Sequence, residues 1–141
     1  MRIGIAETQT TELVAKSIKE TLSDAGLESF YFRNNSKVTM ADLVIVLGGD
    51  RGVRNYFHRA LDVDTPVLGI SESESNGVLA QIELKELATY LNRIKKQDYV
   101  IEDVPRIGVK IDGKNTYPVL NDVAVFTSKS ATLMEHILRI N

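Results

Sequence analysis

The feature that most constrains the fold is the apolar run LVIVL at residues 43–47, which leads directly into the glycine-rich stretch GGDRG at residues 48–52. A strand that is apolar at every position is typical of a parallel sheet with helices on both faces. In such sheets, ligands bind beyond the carboxyl ends of the strands. We therefore expect a central strand at residues 43–47 and a candidate site in the loop that follows it.

The first half of the chain alternates short apolar runs with amphipathic stretches, which is the pattern of β-α-β units. Further strands are predicted at residues 3–6, 29–32 and 66–70. One helix is expected to begin at a Thr10 or Thr11 cap and to stop at Gly26, and others to cover residues 53–61 and 83–96. The predicted fold class is α/β, a Rossmann-like parallel sheet domain followed by a partial β-rich segment.

Beyond residue 97 the chain becomes rich in β-forming residues. Strands are predicted at residues 99–101, 106–111, 116–120, 123–127 and 132–140, with Asp112-Gly113 as a hairpin turn. We expect an α/β domain over residues 1–97 and the start of a β-rich, sandwich-like segment over residues 98–141. Open edges in this second part favour self-association, so we expect a homo-oligomer.

Composition argues against several function classes. The 141 residues include no cysteine, and the two histidines, His58 and His136, stand far apart, so neither a thiolate nucleophile nor a cysteine- or histidine-based metal site is expected. Any metal would need carboxylates and phosphate. A formal net charge of −2 lacks the positive field that nucleic acid requires. No apolar run reaches the roughly 18 residues of a membrane span. We expect a cytoplasmic protein that binds neither nucleic acid nor membrane.

The glycine-rich stretch offers two readings. Glycines permit a positive φ and let the backbone approach a phosphate closely, and the helix start that follows offers N–H groups to an anion. Asp50 would then lie at the rim, where it can accept a hydrogen bond from a substrate hydroxyl or act as a base. The alternative is a tight strand-to-helix turn with an exposed aspartate near a helix N-terminus.

Four segments together resemble the NAD kinase family. Leu47-Gly48-Gly49-Asp50 is similar to the opening of its Gly-Gly-Asp-Gly-Thr motif, which the wider superfamily of diacylglycerol and sphingosine kinases shares. The strand at residues 66–70, the helix at 83–91 and the segment VLNDVAV at 119–125 follow in family order. The resemblance implies transfer of a phosphoryl group from ATP or polyphosphate, with Mg²⁺, to the 2′-hydroxyl of NAD, a small-molecule nucleotide.

The same resemblance implies roles for individual residues. Asp50 matches the aspartate implicated in activating the hydroxyl, and Gly48 and Gly49 match the backbone beside the phosphates. Asn121 and Asp122 match the pair that binds the NAD nucleoside, although an Asn-Asp turn between two strands is the alternative.

The chain also departs from the family pattern. Arg51-Gly52 replaces Gly-Thr, so a guanidinium stands in the loop, where it either clamps a phosphate or lies in solvent. Glu72 and Glu74 either help to hold Mg²⁺ or belong to a solvated loop. The chain ends at Asn141, before the family's second glycine-rich segment. We expect a fragment, a homologue shortened at the C-terminus, or a chain that completes its site through another subunit.

Two function hypotheses follow. The first is an NAD kinase-like phosphotransferase, with Asp50 as the catalytic residue and with Gly48, Gly49, Arg51, Gly52, Asn121 and Asp122 binding the nucleotides. The second is a non-catalytic nucleotide-binding or oligomerising domain that keeps the fold without the activity. A relative of the lipid kinases is a third, which the Asn121-Asp122 context disfavours.

Overall fold

The computed structural model describes residues 1–7, 12–33, 40–60, 63–73 and 77–128, together with 135, 137 and 139. The elements in chain order are β1 (Arg2–Glu7), α1 (Glu12–Asp24), β2 (Glu28–Arg33), β3 (Leu43–Leu47), α2 (Gly49–Arg59), β4 (Val67–Ser71), β5 (Ala80–Glu83), a 3₁₀ turn (Leu84–Glu86), α3 (Leu87–Lys95), β6 (Lys110–Ile111) and β7 (Lys114–Asn115). None of the helices in these ranges is long and apolar enough to cross a membrane.

Five strands form one parallel sheet in the order β2-β1-β3-β4-β5. The strands predicted at residues 3–6, 29–32, 43–47 and 66–70 are confirmed, and β3 lies in the centre with every residue buried. The predicted α/β class, with a Rossmann-like parallel sheet, is confirmed. A small antiparallel pair, β6 and β7, follows it.

The apolar run of β3 serves two cores, one on each face of the sheet. Ile45 packs in the core that β3 shares with α1 and α3, whereas its neighbours Val44 and Val46 pack in the core beside α2. Successive side chains of a strand point to opposite faces, so a strand covered on both sides must be apolar throughout. Each fully buried aliphatic side chain contributes about 1.5–3 kcal/mol to folding.

Helix α1 ends as the sequence predicts. Gly26 has a φ of 72°, and its N–H donates to the Ser23 carbonyl over 2.8 Å. The Leu27 N–H donates to the Leu22 carbonyl over 2.9 Å, so the two bonds together make a Schellman motif. The predicted cap residues, Thr10 and Thr11, lie outside the described residues.

The helix predicted over residues 83–96 is shorter than expected. Residues 80–83 form β5 instead, and a 3₁₀ turn precedes α3. A capping box fixes this start, because the Glu83 and Glu86 side chains each accept a bond from the other's backbone N–H. Strand β5 was missed because it has only four residues, AQIE, of which two are polar.

The β-rich segment contains fewer strands than predicted. The turn at Asp112-Gly113 is confirmed, with φ values of 50° and 77°, and it joins β6 to β7. The strands predicted at residues 99–101 and 123–127 are wrong, because these residues are in no ladder. Most of their side chains are exposed, and β-propensity without a surface to pack on does not make a strand. The strand predicted at residues 132–140 lies almost entirely outside the described residues.

Candidate functional site

The loop between β3 and α2 is shaped by three glycines. Gly48 and Gly49 have φ values of 93° and 62°, in the left-handed region that favours glycine. Gly52 is buried in the first turn of α2, where a Cβ atom would stand 1.9 Å from the Leu47 carbonyl oxygen. The first turn of α2 therefore lies directly against the carboxyl end of the central strand.

A cavity of about 430 Å³, the site cavity, opens at the carboxyl ends of β3 and β4. It is lined by Gly48, Gly49, Asp50, Arg51, Ser71, Glu72, Ser73 and Gly77. Five residues singled out in the sequence, Glu72 among them, therefore meet at one place, and Gly52 lies in the adjoining helical turn. This is the edge at which open parallel sheets bind ligands.

The Asp50 carboxylate joins α2 to the start of β5. Its Oδ1 accepts the Leu79 and Ala80 N–H groups, each over 2.9 Å, and its Oδ2 accepts the Val78 N–H over 3.0 Å. The bond from Ala80 is the largest cause that lowers the pKa of Asp50, and the other two bonds and the Arg54 charge act in the same direction. Desolvation opposes them but does not prevail. The carboxylate is therefore ionised and firmly held.

Ser71 and the segment at residues 77–80 belong to the site although the sequence did not single them out for it. Ser71 is 4% exposed, and its hydroxyl donates to the Ser73 carbonyl over 2.5 Å. A Cβ atom on Gly69 would stand 2.6 Å from the Leu79 carbonyl oxygen and 2.6 Å from the Val53 side chain. A glycine inside a strand is the signal for such a close approach, and it could have indicated where residue 79 packs.

Two charged residues around the site cavity, Arg51 and Glu72, are exposed, whereas Asp50 is half-buried. Arg51 and Glu72 both line the cavity, whereas Glu74 lies outside the described residues. Within the described ranges, no group of three or more His, Cys, Asp or Glu side chains could hold a metal ion.

Asn121 and Asp122 lie beyond β7 in the chain. Both are exposed, and neither lines the site cavity. They follow Val119, which pairs with Ile107 in an antiparallel bridge. The structure thus brings together the residues predicted at the phosphates, but not the pair predicted at the nucleoside.

Known proteins share both the sequence and the fold. Residues 6–99 match the family model described as the ATP-NAD kinase N-terminal domain. The NAD kinase of Clostridium perfringens is 32% identical to this chain over 96% of the chain and 51% of its own length. The NAD kinase of Methanopyrus kandleri is 26% identical over 71% of the chain and 36% of its own length. The chain thus spans about half the length of the first relative and less of the second.

A solved structure confirms the architecture. An NAD kinase from Archaeoglobus fulgidus, crystallised in complex with ATP, superposes with a TM-score of 0.56 at 20% sequence identity. The match covers 77% of this chain and 41% of that one. The family model covers well over half of the chain, from the end of β1 through α3. On this ground the chain is a member of the NAD kinase family.

Proposed function

We propose that this chain is an NAD kinase-like phosphotransferase module, which transfers a phosphoryl group from ATP or polyphosphate to the 2′-hydroxyl of NAD. The observation that carries the proposal is the site cavity, where Gly48, Gly49, Asp50 and Arg51 meet at the carboxyl ends of two central strands. Family membership supports the choice of nucleotides, and the ATP complex of the Archaeoglobus fulgidus enzyme supports ATP as a donor.

The glycine loop would bind phosphate. Gly48 caps α2 with a left-handed backbone, and no side-chain hydrogen bond closes this cap. The N-terminus of an eleven-residue helix favours an anion through its N–H groups and its dipole. Arg51 stands beside it, in the pair Arg51-Gly52 that replaces the family's Gly-Thr, and its guanidinium can bind a phosphate through two parallel hydrogen bonds. Gly52 keeps this turn against the strand end.

Asp50 would orient the substrate hydroxyl. The three backbone bonds that lower its pKa also make it a weak proton acceptor at neutral pH. Its Oδ2 accepts one of these bonds and Oδ1 accepts two, so Oδ2 keeps more capacity for a further donor. Positioning of this kind is the main contribution of proteins to phosphoryl transfer.

A magnesium ion fits the site only when it is shared with a nucleotide. Mg²⁺ commonly binds one or two carboxylates together with substrate phosphates, and it neutralises charge on the transferred group. The exposed Glu72 lines the cavity and offers such a carboxylate. Asp50 is less suited to the metal, because three N–H groups already occupy its oxygens.

The nucleoside and domain assignments remain part of this proposal. Asn121 and Asp122 would bind the NAD nucleoside, since an amide and a carboxylate can satisfy both ribose and base. We place the boundary between the α/β domain and the β-rich domain near residue 97. The end of the family match at residue 99 supports it.

A non-catalytic nucleotide-binding or oligomerising domain is the second candidate. Two observations favour it: Arg51-Gly52 replaces the family's Gly-Thr, and Asp50 is engaged by backbone N–H groups. Self-association is supported by exposed apolar side chains such as Val100, Val125 and Phe126, which are 87%, 65% and 83% exposed. We propose a cytoplasmic homo-oligomer. Sedimentation at high concentration tests this, and a single monomeric species would contradict it.

A turnover assay separates the two candidates. The full chain is incubated with NAD, Mg²⁺ and either ATP or polyphosphate, and NADP is measured. We expect NADP with at least one donor and a roughly tenfold or greater loss of rate in Asp50→Asn. Asp112→Asn, on the exposed turn between β6 and β7, is the matched control and should keep full activity.

The outcomes are distinct. A rate no higher than that of an Asp50→Ala variant would remove the kinase proposal. NAD binding by calorimetry without turnover would then favour the non-catalytic domain. The absence of both would reject the two candidates together.

A further inference from the structure

The C-terminal turn of α2 is closed by a distant arginine. Arg106 Nη1 donates to the Ala60 carbonyl over 2.7 Å and to the Phe57 carbonyl over 3.3 Å. The last carbonyls of a helix have no partners within the helix, and positive charge is favourable at that end. Arg106 is 46 residues from Ala60 in the chain, so this cap joins two separate regions of the protein.

Arg106 stands at the base of a hairpin, residues 107–119. The N–H of Ile107 donates to the Val119 carbonyl over 2.7 Å, and the Val119 N–H returns a bond to Ile107 over 3.0 Å. Nearer the tip, the Thr116 N–H donates to the Val109 carbonyl over 2.9 Å. The hairpin therefore has its own hydrogen bonds, which do not involve the Arg106 guanidinium.

The second strand of the hairpin reaches the same turn of α2. The Tyr117 ring lies 6.2 Å from the His58 ring, centroid to centroid. Arg106 is half-buried, whereas residues 100–105 are exposed. Residues 118–120 are also half-buried, and Asn121 and Asp122 follow directly. The hairpin therefore contacts α2 where Arg106 and Tyr117 meet its C-terminal turn.

Helix α2 carries a functional element at each end. Its N-terminus belongs to the site cavity, and its C-terminus holds Arg106, about 16 Å away for a helix of eleven residues. A helix of this length is stiff, so fixing the hairpin to one end fixes it relative to the other.

We propose that Arg106 is a positioning residue, which docks the hairpin on the C-terminal turn of α2 and thereby places Asn121 and Asp122 relative to the site cavity. The structural half of this inference stands on the Arg106 and Tyr117 contacts alone. Its consequence for NAD rests on the proposed function.

The test compares Arg106→Ala and Arg106→Lys with Arg59→Ala in the full chain. Arg59 is exposed in the last turn of α2, so its loss removes a charge from the same helix end but leaves the cap. The first readout is a pair of proton–proton contacts measured by NMR. The contact between the His58 and Tyr117 rings reports docking, and the contact between Ile107 and Val119 reports the hairpin itself.

We expect Arg106→Ala to lose the ring contact and to keep the hairpin contact, with both kept in Arg59→Ala. Arg106→Lys preserves the charge and should restore part of the ring contact. Persistence of the ring contact in Arg106→Ala would overturn the proposal. So would loss of both contacts, because Arg106 would then build the hairpin rather than dock it.

The second readout is NAD affinity by calorimetry. We expect Arg106→Ala to weaken NAD binding roughly tenfold, with partial recovery in Arg106→Lys and no change in Arg59→Ala. Unchanged affinity in an undocked Arg106→Ala chain would overturn the functional half. If the unmodified chain does not bind NAD, the proposed function fails while the NMR result still decides whether Arg106 docks the hairpin.

Discussion

The two parts of this chain contain similar apolar residues, but the first part buries them and the later part exposes most of them. Every buried core side chain of the described structure lies between Ile3 and Ile94. Of the fourteen large apolar side chains that are exposed among the described residues, ten lie between Val100 and Ile137. The sheet part, residues 1–98, therefore gains most of the hydrophobic stabilisation, whereas the later part, residues 99–128, leaves much of its apolar surface exposed.

The difference follows from layers rather than from composition. In the sheet part, helices cover both faces of β3, so each of its side chains has a surface to pack on. In the later part, a two-stranded pair and one bridge touch the end of α2 through Arg106 and Tyr117, while most of their other side chains are exposed. An isolated hairpin of this size is marginally stable in water, so its contacts with α2 matter more than its own ladder.

The largest expected difference in stability between the two parts comes from replacing one glycine in each part by alanine. Gly52→Ala places a Cβ atom 1.9 Å from the Leu47 carbonyl oxygen, and neither backbone can move without displacing α2 from the sheet. We expect a loss of about 4 kcal/mol or more in the free energy of unfolding, measured by urea titration. In Gly108→Ala, no atom lies within 4 Å of the new Cβ, so the midpoint should stay almost unchanged. Equal losses would contradict the division into two parts.

The next largest difference in stability is expected between two aspartate substitutions, one in each part. Asp50→Asn removes a charge that accepts three backbone bonds, and we expect a loss of about 2 kcal/mol at pH 7. Asp112→Asn changes an exposed turn where asparagine tolerates the same φ of 50°, so its effect should stay within about 0.5 kcal/mol.

The pH dependence of the Asp50 effect has a definite sign. The folded pKa of Asp50 lies below its ordinary value of 3.8, so its stabilisation is present above that value and is lost as the pH falls through the folded pKa. The stability difference between the unmodified chain and Asp50→Asn should therefore shrink as the pH is lowered from 5 towards about 2. Chemical denaturation at each pH measures this stability difference. A difference that is constant with pH would show that ionisation of Asp50 does not contribute to it.

The sequence predicts the sheet part well because its buried elements have a recognisable pattern of apolar residues. The run at residues 43–47 reports helices on both faces, and Gly26 reports the end of α1 through its left-handed φ. In the later part, the sequence predicts two strands that the structure does not contain. Residues 99–101 and 123–127 are rich in β-forming side chains, but a strand also needs a partner and a surface, which a local pattern does not report.

Within the site, side chains were predictable and main-chain partners were not. Gly48, Gly49, Asp50 and Arg51 stand out as residue types at a strand end, and they do line one cavity. The partners of Asp50 are the N–H groups of residues 78–80, which every residue except proline possesses, so no residue type marks them. The cap that Arg106 forms on α2 is likewise a long-range contact, 46 residues along the chain from Ala60, which local spacing does not predict.

The smallest expected difference in stability comes from two glycines, one in each part, that have the same left-handed backbone conformation. Gly26 and Gly113 have φ values of 72° and 77°, so alanine at either position costs about 1 kcal/mol of backbone strain. Gly26 closes α1, which packs on the sheet, so Gly26→Ala should lower the global unfolding midpoint. Gly113 lies at an exposed turn, so Gly113→Ala should leave that midpoint unchanged and speed amide exchange within the hairpin alone. A matching fall in the global midpoint for Gly113→Ala would mean that the hairpin unfolds together with the sheet, and the contacts at Arg106 would then join both halves into one cooperative unit.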